Sequence, residues 1–115
     1  MRLTELIQEL ALTVQSAVKR LDREVKGGYA SDLLSDVMAH SKEGDVWVTI
    51  QGHSNVVAVA VLRDLAGIIL ANGRQPDAAT VQRAEEEGIP LLCTPLPTYE
   101  VAGRLYRLGI HGHDR

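Results

Sequence analysis

The sequence predicts an α/β fold, a three-layer α/β/α sandwich around a mostly parallel sheet of about five strands. Two observations predict it. From Asp45 onward, strand-like and helix-like runs alternate without a break, and such alternation implies right-handed crossovers between parallel strands. Two of those runs, Gly67-Ile68-Ile69-Leu70-Ala71 and Ile89-Pro90-Leu91-Leu92-Cys93 up to Thr94, are apolar, as strands covered on both faces are.

Taken in order, Leu3, Leu6, Ile7 and Leu10 recur at helical spacing, with Thr4 as the expected cap. This segment also looks like the first helix of a DNA-binding helix-turn-helix, but no basic recognition helix follows. Residues 12 to 15 and 23 to 29 read as short strands, the second holding the pair Gly27-Gly28. A helix is expected from Ser31, capped by Ser31 or Asp32, with Leu33, Leu34, Val37 and Met38 facing inward. His40 falls near its C-terminus, where an imidazolium complements the helix dipole. Gly44 closes the turn before the β-branched and aromatic strand Asp45 to Ile50.

The run from Asn55 to Leu65 fits a buried strand or a buried helix by periodicity alone. Its position between two parallel strands decides for a helix, because parallel neighbours need a crossover. After the strand at 67 to 71 and the turn Asn72-Gly73, Asp77 is expected to cap a helix that runs to Glu87 and stops at Gly88. The strand at 89 to 94 leads through Pro95-Leu96-Pro97 to Thr98, expected to cap a last helix with Val101, Ala102, Leu105 and Leu108 inside. Residues 1 to 110 thus read as one domain and 111 to 115 as a polar tail.

Composition narrows the functional classes. With 115 residues the chain has the length for one core, and with no Phe among them that core must be aliphatic. The net charge is -3, and Arg20, Arg23 and Lys26 alternate with Asp22 and Glu24, so nucleic acid is not an expected partner. No run reaches the ~18 apolar residues of a membrane span, and the first residues lack the apolar stretch of a signal peptide. Cys93 is the single cysteine, which fits a reducing compartment and a buried thiol. A cytoplasmic location is expected.

Catalytic signatures are missing from the sequence. There is no phosphate loop of the form G-x-x-x-x-G-K-[ST], no G-x-G-x-x-G, no G-x-S-x-G elbow, no His-Glu-x-x-His and no Cys-x-x-Cys. No catalytic residue, metal site or cofactor is therefore assigned. His111 and His113 alone are too few for a built metal site.

One loop stands out. Gln51-Gly52-His53-Ser54-Asn55 is polar, contains glycine, and lies between a strand and a helix, where open α/β sheets bind ligands. Helix capping by Gln51, Ser54 and Asn55 is the competing reading. The candidate ligand residues are His53, Ser54 and Asn55 with Gly27, Gly28, Ser31 and Asp32, and Thr94 and Thr98 at the outer rim. Helix starts would supply N–H donors to an anion, and the glycines would allow close approach.

The stretch Asp22-Arg23-Glu24-Val25-Lys26-Gly27-Gly28, followed by Tyr29-Ala30-Ser31-Asp32-Leu33-Leu34-Ser35-Asp36-Val37, resembles the DRTGG domain family. The likeness continues through Gly44 to Thr49, Asp64 to Ile69 and Glu86 to Leu91. Glu-Val-Lys stands where the family name has a shorter Thr link. Such domains are fused to phosphotransacetylases and to tandem CBS modules, and they resemble the amino-terminal domain of HPr kinase. The resemblance implies a non-catalytic regulatory domain that senses a small, nucleotide-like metabolite. Ser31-Asp32 with Lys42 to Val48 is also similar to the nucleotide-sugar-binding amino-terminal domain of Mur ligases, which implies a uridine nucleotide as a second ligand class. The alternative is a protein-protein interaction or dimerisation module without a small ligand. A homodimer is expected in either case, through the apolar helix at 55 to 65 or the face beside it, because that helix needs cover on two sides.

Overall fold

The computed structural model describes residues 1–113. Among them are five α-helices and five strands: α1 (Leu3–Leu10), β1 (Thr13–Val14), β2 (Gly27–Ala30), α2 (Leu34–His40), β3 (Asp45–Thr49), α3 (Asn55–Leu62), β4 (Gly67–Leu70), α4 (Ala78–Glu87), β5 (Leu91–Cys93) and α5 (Thr98–Arg107), with a short 3-10 turn at Val18–Arg20. The strands form one sheet in the order β1-β5-β4-β3-β2. β2 to β5 are parallel, and β1 runs antiparallel along β5. The expected three-layer fold is the observed one.

Strand order explains the layers. The parallel strands follow one another in chain order across the sheet, so right-handed crossovers place every connecting helix on one face. There α2, α3 and α4 pack side by side, burying Val37, Val56, Val57, Ala60 and Ala84 against Trp47, Ile68, Leu70, Leu91 and Cys93. The other face falls to α1 and α5, which bury Leu3, Leu6, Leu10, Val101 and Leu105 against Val46, Val48, Ile69 and Leu92. Odd and even positions of the strands thus feed opposite cores. Trp47, fully buried, is the largest side chain in either and donates its indole N–H to the Ser31 carbonyl at 2.8 Å.

Several expected element starts move, each because a side chain has a tertiary partner. The helix expected from Ser31 begins at Leu34, because the Ser31 N–H still pairs with the Val48 carbonyl at 3.2 Å and Asp32 is drawn to β3. Leu33, expected inside, is 65% exposed. The strand expected at 23 to 29 pairs with β3 only from Gly27. Its first part runs antiparallel to the start of the chain, with an isolated bridge between Arg2 and Glu24. Thr4 is not the cap of α1: the helix starts one residue earlier, and the Glu5 carboxylate accepts the Arg2 N–H at 2.9 Å. Asp77 does sit at the start of α4, yet its carboxylate makes no cap bond, and its N–H donates to the Gly52 carbonyl. Thr98 is the first residue of α5 rather than its cap, a position Pro97 takes. α3 ends at Leu62, short of the expected Leu65, where Asp64 adopts a left-handed backbone (φ 53°) that turns the chain into β4.

Candidate functional site

The parallel strands all point their carboxyl ends at one edge of the sheet, and that edge gathers most of the expected site. Ser31 and Asp32 follow β2 there, His53, Ser54 and Asn55 follow β3, Thr94 follows β5, and Thr98 opens α5. Gly27 and Gly28 do not join them. They begin β2, and three strand steps of about 3.3 Å each carry Gly27 roughly 10 Å from Ala30, to the opposite edge.

At the carboxyl edge Asp32 is the organising residue. One carboxylate oxygen accepts both the buried Thr49 hydroxyl and the Ile50 N–H, each at 2.9 Å. The Gln51 side-chain amide donates to the Asp32 carbonyl at 3.3 Å, and the Gln51 N–H donates to the Thr49 hydroxyl at 3.2 Å. Gly52 then runs so close to the next loop that a Cβ would lie 2.9 Å from the Gln75 carbonyl oxygen. Its own carbonyl accepts the Thr80 hydroxyl at 2.7 Å.

The side-chain cap of α3 comes from His53 and not from Ser54. The His53 Nδ1 accepts the Asn55 N–H at 3.2 Å, while Ser54 makes no side-chain cap bond. An accepting Nδ1 carries no proton, so Nε2 is the nitrogen left to donate. The Val56 and Val57 N–H groups are already taken by the His53 and Ser54 carbonyls. Few free donors of α3 thus remain for an anion.

A crevice arises in α/β sheets where successive connections leave to opposite faces. Here that divergence falls between β4 and β5, whose chains exit toward α4 and α5. It is stitched shut: Asn72 N–H donates to the Leu96 carbonyl at 2.7 Å and Gly73 N–H to the Thr94 carbonyl at 3.0 Å. Thr94 lines a groove of only about 140 Å3 there, beside Thr13, Gly73 and Cys93. Burial raises the Cys93 thiol pKa above its ordinary value, against a smaller opposite effect from the Gln15 hydrogen bond.

At the opposite edge the two glycines receive the chain's own C-terminal segment. The Gly28 N–H donates to the His111 carbonyl at 3.0 Å. A Cβ on Gly27 would lie 2.8 Å from the His113 ring and 2.9 Å from the Asp45 carboxylate. The close approach that glycine permits is made by His113. His111 stacks on Tyr106 with ring centroids 4.1 Å apart, so residues 111–113 of the expected tail are engaged with the domain. Asp114 and Arg115, the rest of that tail, lie outside the described residues. Arg23, also in the motif stretch, holds the loop before β4 by donating to the Asp64 carboxylate at 3.0 Å and the Asp64 carbonyl at 2.8 Å. Among the described residues no cluster of His, Cys, Asp and Glu has the arrangement of a metal site. No described helix is long and apolar enough to cross a membrane.

These features define an α/β/α module of four parallel strands with one antiparallel edge strand. The DRTGG domain model matches residues 5–108, and the chain belongs to the DRTGG domain family. Among solved structures it is similar to the CBS and DRTGG domains of the regulatory region of Clostridium perfringens pyrophosphatase, complexed with the activator diadenosine tetraphosphate. The TM-score is 0.74 at 14% identity over 99% of this chain and 51% of that one. The chain therefore spans about half the length of that relative. The comparison with curated proteins returned no match.

Proposed function

We propose that this chain is a non-catalytic regulatory domain of the cytoplasm that senses a small nucleotide-like metabolite. The observation that carries the reading is its family: a DRTGG region of the same fold belongs to the regulatory part of a pyrophosphatase whose structure holds a dinucleotide activator. The contact surface is the carboxyl edge of β2 and β3, where Ser31, Asp32, His53, Ser54 and Asn55 stand together, with Thr94 and Thr98 as outer contacts. The His53 ring offers a donor at Nε2 and a face on which a base can stack.

A thermal-shift screen with diadenosine tetraphosphate, ATP, AMP and uridine diphosphate tests the reading. Ligand at 100 times its dissociation constant adds about 2.7 kcal/mol of stability. His53→Ala and Asn55→Ala should each weaken the ligand found by about tenfold while the domain stays folded. Equal affinity in all three proteins sinks the site, and no shift with any nucleotide sinks the ligand. Turnover of ATP above a clean blank would overturn the non-catalytic assignment.

A second reading, homodimerisation through α3 or the face beside it, has a narrower base than the sequence implied. α2 and α4 flank α3 and bury Val56, Val57, Val59 and Ala60, which leaves Val61 (42% exposed) and Leu62 (70% exposed) as its open apolar residues. A monomer mass by light scattering at micromolar concentration rejects it.

A further inference from the structure

At the amino edge of the sheet, opposite the carboxyl edge that carries Ser31, Asp32 and His53, Tyr29, His40, Ser41, Lys42, Arg63 and His113 line a groove of about 390 Å3. Four of these six side chains carry or can carry positive charge. The nearby acids are already engaged. Asp45, fully buried, accepts from His113 Nε2 and from the Lys42 N–H. Asp36 accepts the Tyr29 hydroxyl at 2.7 Å and lies 4.0 Å from His40 Nε2. Glu43 lies 3.7 Å from Lys26. Among the described residues, neither Lys42 Nζ nor the Arg63 guanidinium has a carboxylate at ion-pair distance.

Arg63 is the informative member. It donates one N–H to the Ser41 carbonyl at 2.5 Å, while its Nε is buried with no acceptor. A buried cationic donor left unpaired is costly, and such atoms mark places where an ion or water completes the structure. A guanidinium matches the oxygen spacing of a phosphate, and a lysine adds a point charge.

We propose that this groove binds a phosphate group, either inorganic phosphate or the phosphate of a phosphomonoester, through Arg63 and Lys42 with His40 at the rim. The proposal is independent of the nucleotide surface at the carboxyl edge. Its competitor is that these cations only offset the C-terminal dipoles of α2 and α3.

Two-dimensional NMR titration separates the two. Wild type is titrated with sodium phosphate, with AMP, and with sodium chloride at matched ionic strength. Saturable shifts at residues 39–42, 63 and 112–113 are expected with phosphate, AMP or both, but not with chloride. Phosphate alone names the free ion as the source, and AMP names a phosphomonoester. Lys42→Gln and His40→Gln, both at exposed positions, should weaken binding about fivefold each with the phosphate-free melting temperature unchanged. His53→Ala should leave it intact. Equal shifts with chloride, no saturable shift, or shifts at residues 53–55 in place of the groove would overturn the proposal, and the last would favour the nucleotide surface instead.

Discussion

His113 and Asp45, 68 residues apart in the chain, meet where β2 and β3 begin: His113 Nε2 lies 2.5 Å from the Asp45 carboxylate. Asp45 is fully buried, and a buried carboxylate is tolerated when its oxygens have donors. Here His113 serves one oxygen and the Lys42 N–H, at 2.8 Å, the other. Gly27 is the residue that leaves room for the pair.

Gly27→Ala should therefore act through Asp45. The added methyl displaces the imidazole and leaves the buried carboxylate short of a donor, at a cost of about 1–3 kcal/mol. Urea unfolding of Gly27→Ala, His113→Ala and the double variant checks it. The double variant should cost less than the sum of the singles, because both remove the same contact. Strict additivity would mean the glycine serves something else.

Asp32→Ala should cost about 1–3 kcal/mol, more than any change in the His53–Ser54 turn, since it strands the buried Thr49 hydroxyl. His53→Ala, which removes only the acceptor for the Asn55 N–H, should cost about 0.5–1 kcal/mol. Ser54→Ala, with no cap bond to lose, should stay within about 0.5 kcal/mol. A larger loss at Ser54 than at His53 would reverse the capping assignment.

That ranking marks where the sequence is legible and where it is not. From Asp45 to Gly88 the alternation of strand and helix is local and reads directly, and even the ambiguous run at α3 resolves because crossover geometry admits one answer. Helix starts read less well. Asp32 and Thr98 have the chemistry of caps, but Asp32 is recruited by β3, and Pro97 stands in the cap position before Thr98. Gly27 and Gly28 are close to Ser31 in sequence, yet β2 runs between them and carries its two ends to opposite edges of the sheet. The engagement of His113 has no local signal at all, since its partner Asp45 begins a strand far back in the chain.

Gly52→Ala should destabilise by about 1–3 kcal/mol, because the new methyl meets the Gln75 carbonyl, part of the backbone and unable to swing aside. Thr80→Val removes the hydroxyl donated to the Gly52 carbonyl and should cost about 1 kcal/mol. Hydrogen exchange in α4 checks both: faster exchange at residues 78–81 is expected, and unchanged protection would show that the two loops are not coupled.

Cys93 should react slowly with a thiol reagent at pH 8 and quickly once the domain is unfolded, because burial keeps the thiol protonated. Its raised folded pKa makes stability depend on pH in a stated direction. Below the unfolded thiol value, about 8.5, both states are protonated and the contribution is complete. Above it the unfolded chain ionises first, so stability falls as pH rises. Cys93→Ala should flatten that fall between pH 8 and 10, and an unchanged slope would assign it to other groups.

Trp47 is the single tryptophan in a chain without phenylalanine, and its indole is tied to the carbonyl of Ser31, the residue before Asp32. The protein is thereby fitted with its own optical gauge. Emission from the folded domain should be blue-shifted by the dry surroundings of the ring. Any occupant that pulls the Ser31–Asp32 turn away from β3 must loosen the indole tether, and the colour of the emitted light will report it without a label.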